Sequence, residues 1–411
     1  MTGSGQPSPP EGQLKRSLNL PLLVLYGLGT IVGAGIYALI GEVAAVAGYG
    51  APLAFLVAAG VAALTAGAFA ELSSRYPRAA GAALYVQKGF GRPRLALVVG
   101  VLVAVSGVVS AAALLNGFVG YLQAFMAWDR TLIIVGAAGV LGAIAAWGIA
   151  QSVTVAAIIT LVEIGGLLAV IVVGADALTT LPDRWRDFMP AMDTWPGVLF
   201  GATLSFYAFI GFEDMVDVAE EVRDVRRTLP MAILITLVLA TLVYVLLLMS
   251  ALLTLTPEAL AASQAPVAAL WAHHTGRAPA ELGLVAMLAI VNGALIQIVM
   301  ASRVLYGLSR RGQLPAALGR VHRLTNTPLL ATALVTLAVL ALALAGRLAG
   351  LATTTSLLML TIFGAANLAL WRLKGREPAP DGVLTVPRIL PLVGAAACAG
   401  LVAWKLIGYA G

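Results

Sequence analysis

Cysteine is almost absent from this sequence. The one residue, Cys398, sits inside an apolar run, so neither an internal disulfide nor a cysteine metal cluster can form. Histidine is nearly as scarce: three residues, two of them adjacent at His273 and His274, leave no ligand set for a zinc site. Charge is thin as well, at 11% of residues against 60% hydrophobic, with a mean hydropathy of +0.96. Soluble domains carry about 25% charged residues, so a water-soluble fold is excluded. The few polar residues offer no nucleophile–base pair and no metal-ligand cluster, which argues against an enzyme and against any cofactor or resident metal. A net charge of +6 could suggest nucleic acid, but it comes from arginines beside apolar blocks, and membrane topology accounts for it.

What the sequence has in quantity is apolar length. Blocks of about 20 residues alternate with short polar connections, long enough to cross the hydrocarbon as helices and without the alternation of barrel strands. The blocks predict eleven spans, near 19–47, 51–74, 95–127, 131–149, 153–175, 196–220, 229–254, 281–309, 328–346, 352–371 and 386–409. Residues 1–17, rich in Pro, Gly and Ser, read as a short disordered cytoplasmic tail. Lys15 and Arg16 precede an apolar stretch too long for a signal peptide. With the N-terminus in the cytoplasm, nineteen of the 25 basic residues fall on that side, among them Arg75, Arg78, Arg223, Arg226, Arg310 and Arg311. This places the chain in the plasma (inner) membrane as a multi-pass protein, with the C-terminus outside. The loops 76–93 and 256–279 read as helices lying on the interface.

Two spans look interrupted. The first contains "GLGTIVGAGIY", Gly27 to Tyr37, with Gly33 and Gly35 near its middle. The sixth contains "LSFYAFIGFEDMVDVAEEV", Leu204 to Val222, apolar as far as Gly211 and then abruptly acidic. Non-helical backbone at membrane depth survives only where it is buried in protein or lines a cavity. Spans one and six stand five apart, the spacing of two inverted repeats, 18–175 and 196–371, with 386–409 left over as a last span. Gly27, Gly29 and Gly41 read instead as packing positions.

Four stretches resemble one family, the amino acid–polyamine–organocation superfamily of secondary transporters. "GTIVGAGIY" is similar to its first-helix signature and "AELSSRYPRAAGAALYV" to the end of its second helix and the following loop. "FYAFIGFEDMVDVAEEVRDVRRTLP" is similar to its sixth-helix pattern, and "SRVLYGLSRRGQLP" to the end of its eighth. The resemblance implies an all-α membrane protein with the LeuT-type fold, a five-plus-five inverted repeat. In that fold a bundle of spans 1, 2, 6 and 7 moves against a scaffold of spans 3, 4, 8 and 9. The apolar blocks stop at eleven, where the commoner family pattern has a twelfth, so a monomer or weak dimer is expected.

Unwinding near Ile31, Val32, Gly33, Ala34 and Gly35 would leave amides at the start of a half-helix, where the dipole favours a carboxylate. Free carbonyls near Phe209, Ile210 and Gly211 could accept from an ammonium, and an α-amino acid satisfies both ends. By resemblance, Tyr207 stands where family members keep an aromatic gate, while Phe206 and Phe212 read as core. Ser106, Ser110 and Asn116 on span three, Asn292 and Gln297 on span eight, and Thr353–Ser356 on span ten are further polar candidates. Glu163 lies mid-span, where a carboxylate costs about 2.5–3.5 kcal/mol to insert and is a functional hypothesis by default. By resemblance it occupies the place of a fifth-helix lysine in proton-linked relatives. It can carry a proton, bind Na⁺, or pair with a residue such as Arg303. Glu213 falls where relatives keep a gating or protonatable acid, with Asp214 beside it; together they would favour cationic substrates. Glu42 is a candidate outer-vestibule acid, and Asp217, Glu220 and Glu221 are expected to form a closing network with Arg75 or Arg223. The reading is a secondary active transporter of neutral or cationic amino acids, coupled to protons or working by exchange. Na⁺ coupling, a polyamine or amine carrier, and a sensor that keeps the fold without turnover are the alternatives.

Overall fold

A chain in hydrocarbon must satisfy its backbone polar groups within each segment, and this one does so by being helical almost throughout. The computed structural model describes residues 18–77, 81–148 and 153–410. The expected tail 1–17 and Arg78 lie outside the described residues, as do the side chains of Ala34, Asp217 and Glu220. Among the described residues the only strand-like pairing is an isolated bridge between Leu18 and Val222.

The helices of the first half are α1 (Leu20–Ile31), α2 (Ala34–Ala47), α3 (Ala51–Arg75), α4 (Gly81–Phe90), α5 (Pro93–Gln123), α6 (Arg130–Trp147) and α7 (Val153–Val173). Two single turns, α8 (Ala175–Leu178) and α9 (Leu181–Arg184), lead to α10 (Trp195–Ser205), which continues as 3₁₀ turns over Phe206–Phe209 and Phe212–Glu221. Then come α11 (Val225–Thr254), α12 (Pro257–Ala262), α13 (Pro266–Thr275), α14 (Ala280–Arg310), α15 (Leu329–Ala345), α16 (Leu348–Lys374) and α17 (Ile389–Ala410). Local signals set several starts. Asn19 caps α1 by accepting from Leu22 N at 3.1 Å, and Asp129 caps α6 through Thr131 N and Leu132 N. Prolines occupy the first turns of α1, α3, α5 and α10, where the missing N–H is not needed.

Eight helical stretches among the described residues are long and apolar enough to cross a membrane, and three shorter apolar helices, 20–31, 157–173 and 329–345, accompany them. The protein is thus an all-α, multi-pass membrane protein. Its core is aromatic at one level, where Phe69 of α3 meets Tyr85, Phe212 and Phe363 edge-on with centroids 5.4–5.7 Å apart. Small residues let neighbouring helices close up: Gly107 of α5 packs on Ala301 of α14, and Gly89 of α4 backs directly onto Ala369 of α16.

Three expectations are corrected. The segment 76–93 does not simply lie on an interface. Tyr85 of α4 is fully buried against Phe69, because its apolar residues Ala82, Tyr85, Val86 and Gly89 share one face. Likewise α12 and α13 of the 256–279 loop pack inward, with Leu260 O pressed against Gly41 of α2 and Val267, Ala268 and Leu270 buried. Arg75 does not reach across to span six. It is held by Glu71, one turn back, through Nε at 2.9 Å and Nη2 at 2.7 Å. Glu71 is fully buried and also accepts from Lys374 Nζ at 2.7 Å and from Val386 N at 2.8 Å, tying α3 to α16 and to the segment before α17.

Candidate functional site

The first break lies where the glycines stand. α1 ends at Ile31, Val32 still donates to Leu28 O at 2.7 Å, and Gly33 leaves helical geometry with ψ −132° before α2 begins. The amides at the start of α2 therefore have no carbonyl one turn earlier to bond. The second break is at Ile210, extended at ψ 136°, and Gly211, at φ 129°. That φ suits glycine, and a Cβ at Gly211 would also run into Thr30 O. A Cβ at Gly35 would stand 3.0 Å from Ala208 Cα, so the absence of side chains brings the two interrupted segments into contact.

Hydrogen bonds join the breaks. The Thr30 hydroxyl lies 2.9 Å from Gly27 O and 3.0 Å from Gly211 O, donating from α1 toward the second break. Tyr244 of α11 places its hydroxyl 2.7 Å from Ile31 O and 2.9 Å from Ala208 O, spanning the ends of both interrupted segments. Glu213 folds back on its own turn, its Oε2 accepting from Gly211 N at 2.8 Å. The Tyr37 hydroxyl donates to Glu163 O at 2.7 Å, and Tyr121 donates to Tyr37 O at 2.9 Å, so α2, α5 and α7 are linked in series.

Between the breaks lies a cavity of about 40 Å³, a volume that about three waters would fill. Of the residues picked from sequence, Ile31, Gly33, Gly35, Ser110, Tyr207, Ile210, Asp214 and Gln297 line it. The Tyr207 hydroxyl sits 2.9 Å from Ser110 Oγ and closes the space between α5 and the 3₁₀ turn. Others are placed elsewhere. Val32 is in the core, and the Phe209 ring packs between Phe55 and Tyr244, away from the cavity. Ser106 is buried on α5, outside the lining, while Thr355 bonds back along its own helix. Asn116 lies toward the end of α5, donating to Ala343 O at 3.2 Å.

Glu163 of α7 is fully buried, and neither carboxylate oxygen has a hydrogen-bond partner among the described residues. Its Oε2 is 3.8 Å from where a Cβ on Gly33 would stand, which sets it against the first break. Asn292 of α14 approaches the carboxylate without hydrogen-bond geometry. Arg303, one partner considered for Glu163, is exposed and does not pair with it. Thr30, Leu114, Ile296 and Tyr244 were not anticipated. A lone hydroxyl in the apolar run "LVYVLLL" was the available signal for Tyr244.

Two interrupted membrane helices facing each other across a small polar cavity define the class of the molecule: a membrane transport protein. The family model of the amino acid permeases matches residues 18–407. The chain is 28% identical to the branched-chain amino acid permease BcaP of Bacillus subtilis, over 78% of this chain and 73% of that one. It is 27% identical to the methylthioribose transporter of the same organism, over 94% and 87% respectively. With the vacuolar cationic amino acid transporter 2 of Arabidopsis thaliana it shares 29% identity, over 87% of this chain and 60% of that one. The chain belongs to the amino acid permease family, whose members are transporters and not enzymes.

Proposed function

We propose that this protein is a secondary active transporter that moves α-amino acids across the plasma membrane by alternating access. Eleven spans, with α1 and α2 together forming the first, would make two inverted repeats over 18–175 and 196–371, the N-terminus in the cytoplasm and the C-terminus outside. The observation that carries the reading is the pair of breaks joined by Thr30 and Tyr244 around a polar cavity. The unbonded amides from Gly33 to Gly35 suit a substrate carboxylate, and the carbonyls around Phe209 and Ile210 suit its ammonium. At about 40 Å³ the cavity is closed down. Admission of substrate then requires Tyr207 to leave Ser110, the movement of a gate. Asp214 in the cavity wall, together with the similarity to a cationic amino acid transporter, favours a basic side chain as a second reading of the substrate.

Glu163 supplies the coupling group in this scheme. A fully buried carboxylate without a cationic partner among the described residues is held against the break whose geometry must change, so its proton and the state of the first helix are linked. The test is uptake of radiolabelled L-leucine and L-arginine into proteoliposomes under imposed pH or Na⁺ gradients, for wild type and Glu163→Gln. A pH gradient should drive uptake by wild type and not by the variant, which should still exchange. Full gradient-driven uptake by the variant would remove Glu163 from the mechanism, and uptake driven by Na⁺ alone would replace the proton.

A further inference from the structure

A second cavity, of about 550 Å³, lies at the end of the bundle toward which α2 runs and shares no lining residue with the central one. Its size falls within the range of about 300–1,000 Å³ typical of small-molecule sites. The walls come from α2, the last turns of α5, the start of α6, the loop between α12 and α13, and the connection from α15 to α16. Two glycines of α5 pin this region together. A Cβ on Gly117 would stand 3.0 Å from Ala38 Cβ, and one on Gly120 would stand 3.1 Å from Gln264 O.

The charges in the wall are arranged without one another. Arg130 donates through Nη2 to Asn116 Oδ1 at 2.7 Å, Gly346 O at 2.8 Å and Ala343 O at 2.9 Å, with Nη1 3.3 Å from Leu344 O. All four acceptors are neutral, so the guanidinium is held in place while its charge meets no carboxylate among the described residues. Arg347, exposed at the start of α16, adds a second positive group. Glu42 on the α2 wall forms no ion pair or hydrogen bond with any described residue. A pocket with one carboxylate and two guanidinium groups matches a zwitterion. An uncharged ligand would use none of these charges, and a simple anion would meet Glu42.

The two cavities follow each other along α5. Ser110 and Leu114 line the central one, and Gly117, one turn beyond Leu114, lines the other. We propose that the larger cavity is a second recognition site for α-amino acids. Glu42 takes the ammonium, Arg130 and Arg347 take the carboxylate, and the site holds substrate before the contact between Tyr207 and Ser110 opens. This rests on the amino acid reading of the central site.

The test is equilibrium binding of radiolabelled L-leucine and L-arginine to the full-length protein in nanodiscs. It compares wild type, Leu114→Trp to fill the central cavity, and Leu114→Trp combined with Glu42→Gln or Arg347→Gln. Gel filtration checks that each variant remains monodisperse. Leu114→Trp should retain one saturable site, weakened about two- to fivefold by either added substitution and weakened further by raised salt. Competition against wild type and Leu114→Trp with L-leucinamide, which lacks the carboxylate, and 4-methylpentanoate, which lacks the ammonium, should show that both charges are needed at the retained site. Binding by wild type that disappears in Leu114→Trp, or a retained site indifferent to Glu42→Gln and Arg347→Gln, overturns the second site alone. Should Leu114→Trp fail to fold, a wild-type binding curve fitted by one site and unmoved by Glu42→Gln overturns it equally. Absence of any amino acid binding to wild type overturns the central reading and this one together.

Discussion

Replacing Tyr244 by Phe removes one oxygen and, by the geometry, loosens both breaks. The hydroxyl has one proton, shared between Ile31 O at 2.7 Å and Ala208 O at 2.9 Å. Both carbonyls sit where the helical ladder is interrupted, so no N–H one turn later takes over. The ring itself is fully buried, edge-on to Phe55 at 5.7 Å and Phe209 at 5.3 Å, and phenylalanine keeps those contacts. A buried group left without its partner costs about 1–3 kcal/mol, whereas polar contacts between membrane helices average about 0.6 and reach about 1.7 kcal/mol. Both acceptors lose the shared proton together, which argues for the upper part of the membrane range, about 1.5 kcal/mol. At about 2 °C or less per kcal/mol for a chain of this size, the midpoint should fall by about 2–3 °C. Cys398 is the single cysteine and is 1% exposed, so a fluorogenic thiol dye reports unfolding directly. Amide exchange over residues 31–35 and 208–211 should rise in the same variant. A midpoint within about 1 °C of wild type with unchanged exchange would refute the claim that this hydroxyl holds the breaks together.

Glu71→Gln leaves Arg75 and Lys374, 4% and 11% exposed at their side chains, facing an uncharged amide. Breaking such a buried pair costs about 3–5 kcal/mol, and the expected result is a sharp loss of detergent-extracted, monodisperse protein; a normal yield and midpoint would count against it. His274 of α13 titrates below its usual 6.5, because burial disfavours its charged form and His273 beside it adds to the effect, with Asp176 opposing. Its Nε2 is 3.0 Å from Thr254 Oγ1. The unfolded chain therefore takes up this proton more readily than the folded one, so stability should be full above about pH 6.5 and fall as pH drops toward the folded value. Midpoints measured from pH 8 to 5 should show that slope in wild type and a weaker one in His274→Gln; equal slopes would assign the acid sensitivity elsewhere.

Helix positions were legible in the sequence because lipid leaves the backbone so few options. A segment that cannot hydrogen-bond to solvent must close its bonds within itself, so apolar length and polar punctuation mark its ends. The block read as 95–127 became Pro93–Gln123, and that read as 281–309 became Ala280–Arg310. The interruption at Gly33 was legible for a related reason, since glycine at mid-span signals backbone that departs from the helix. The sixth span was legible only in part. Its break at Gly211 was marked by the change to acidic residues, but the 3₁₀ path from Phe206 to Glu221 was not. That path decides that Tyr207 faces the cavity while Phe209, two residues on, turns into the core.

What the tertiary structure alone decided is which groups meet across long stretches of chain. Tyr244 reads as one more residue of an apolar helix until α11 places it against carbonyls that both breaks leave unbonded. The partners of Glu71 include a neighbour one turn away and a lysine 303 residues away, and only the neighbour could have been read from spacing. The inward burial of α4 and α12 depended on glycines making room, Gly89 of α4 itself against Ala369 of α16 and Gly41 of α2 against Leu260 of α12. Local sequence determines where helices start, stop and break, because those outcomes depend on bonds within a few residues. Which side chain closes a cavity and which carboxylate stays unpaired depend on surfaces brought together from opposite ends of the chain.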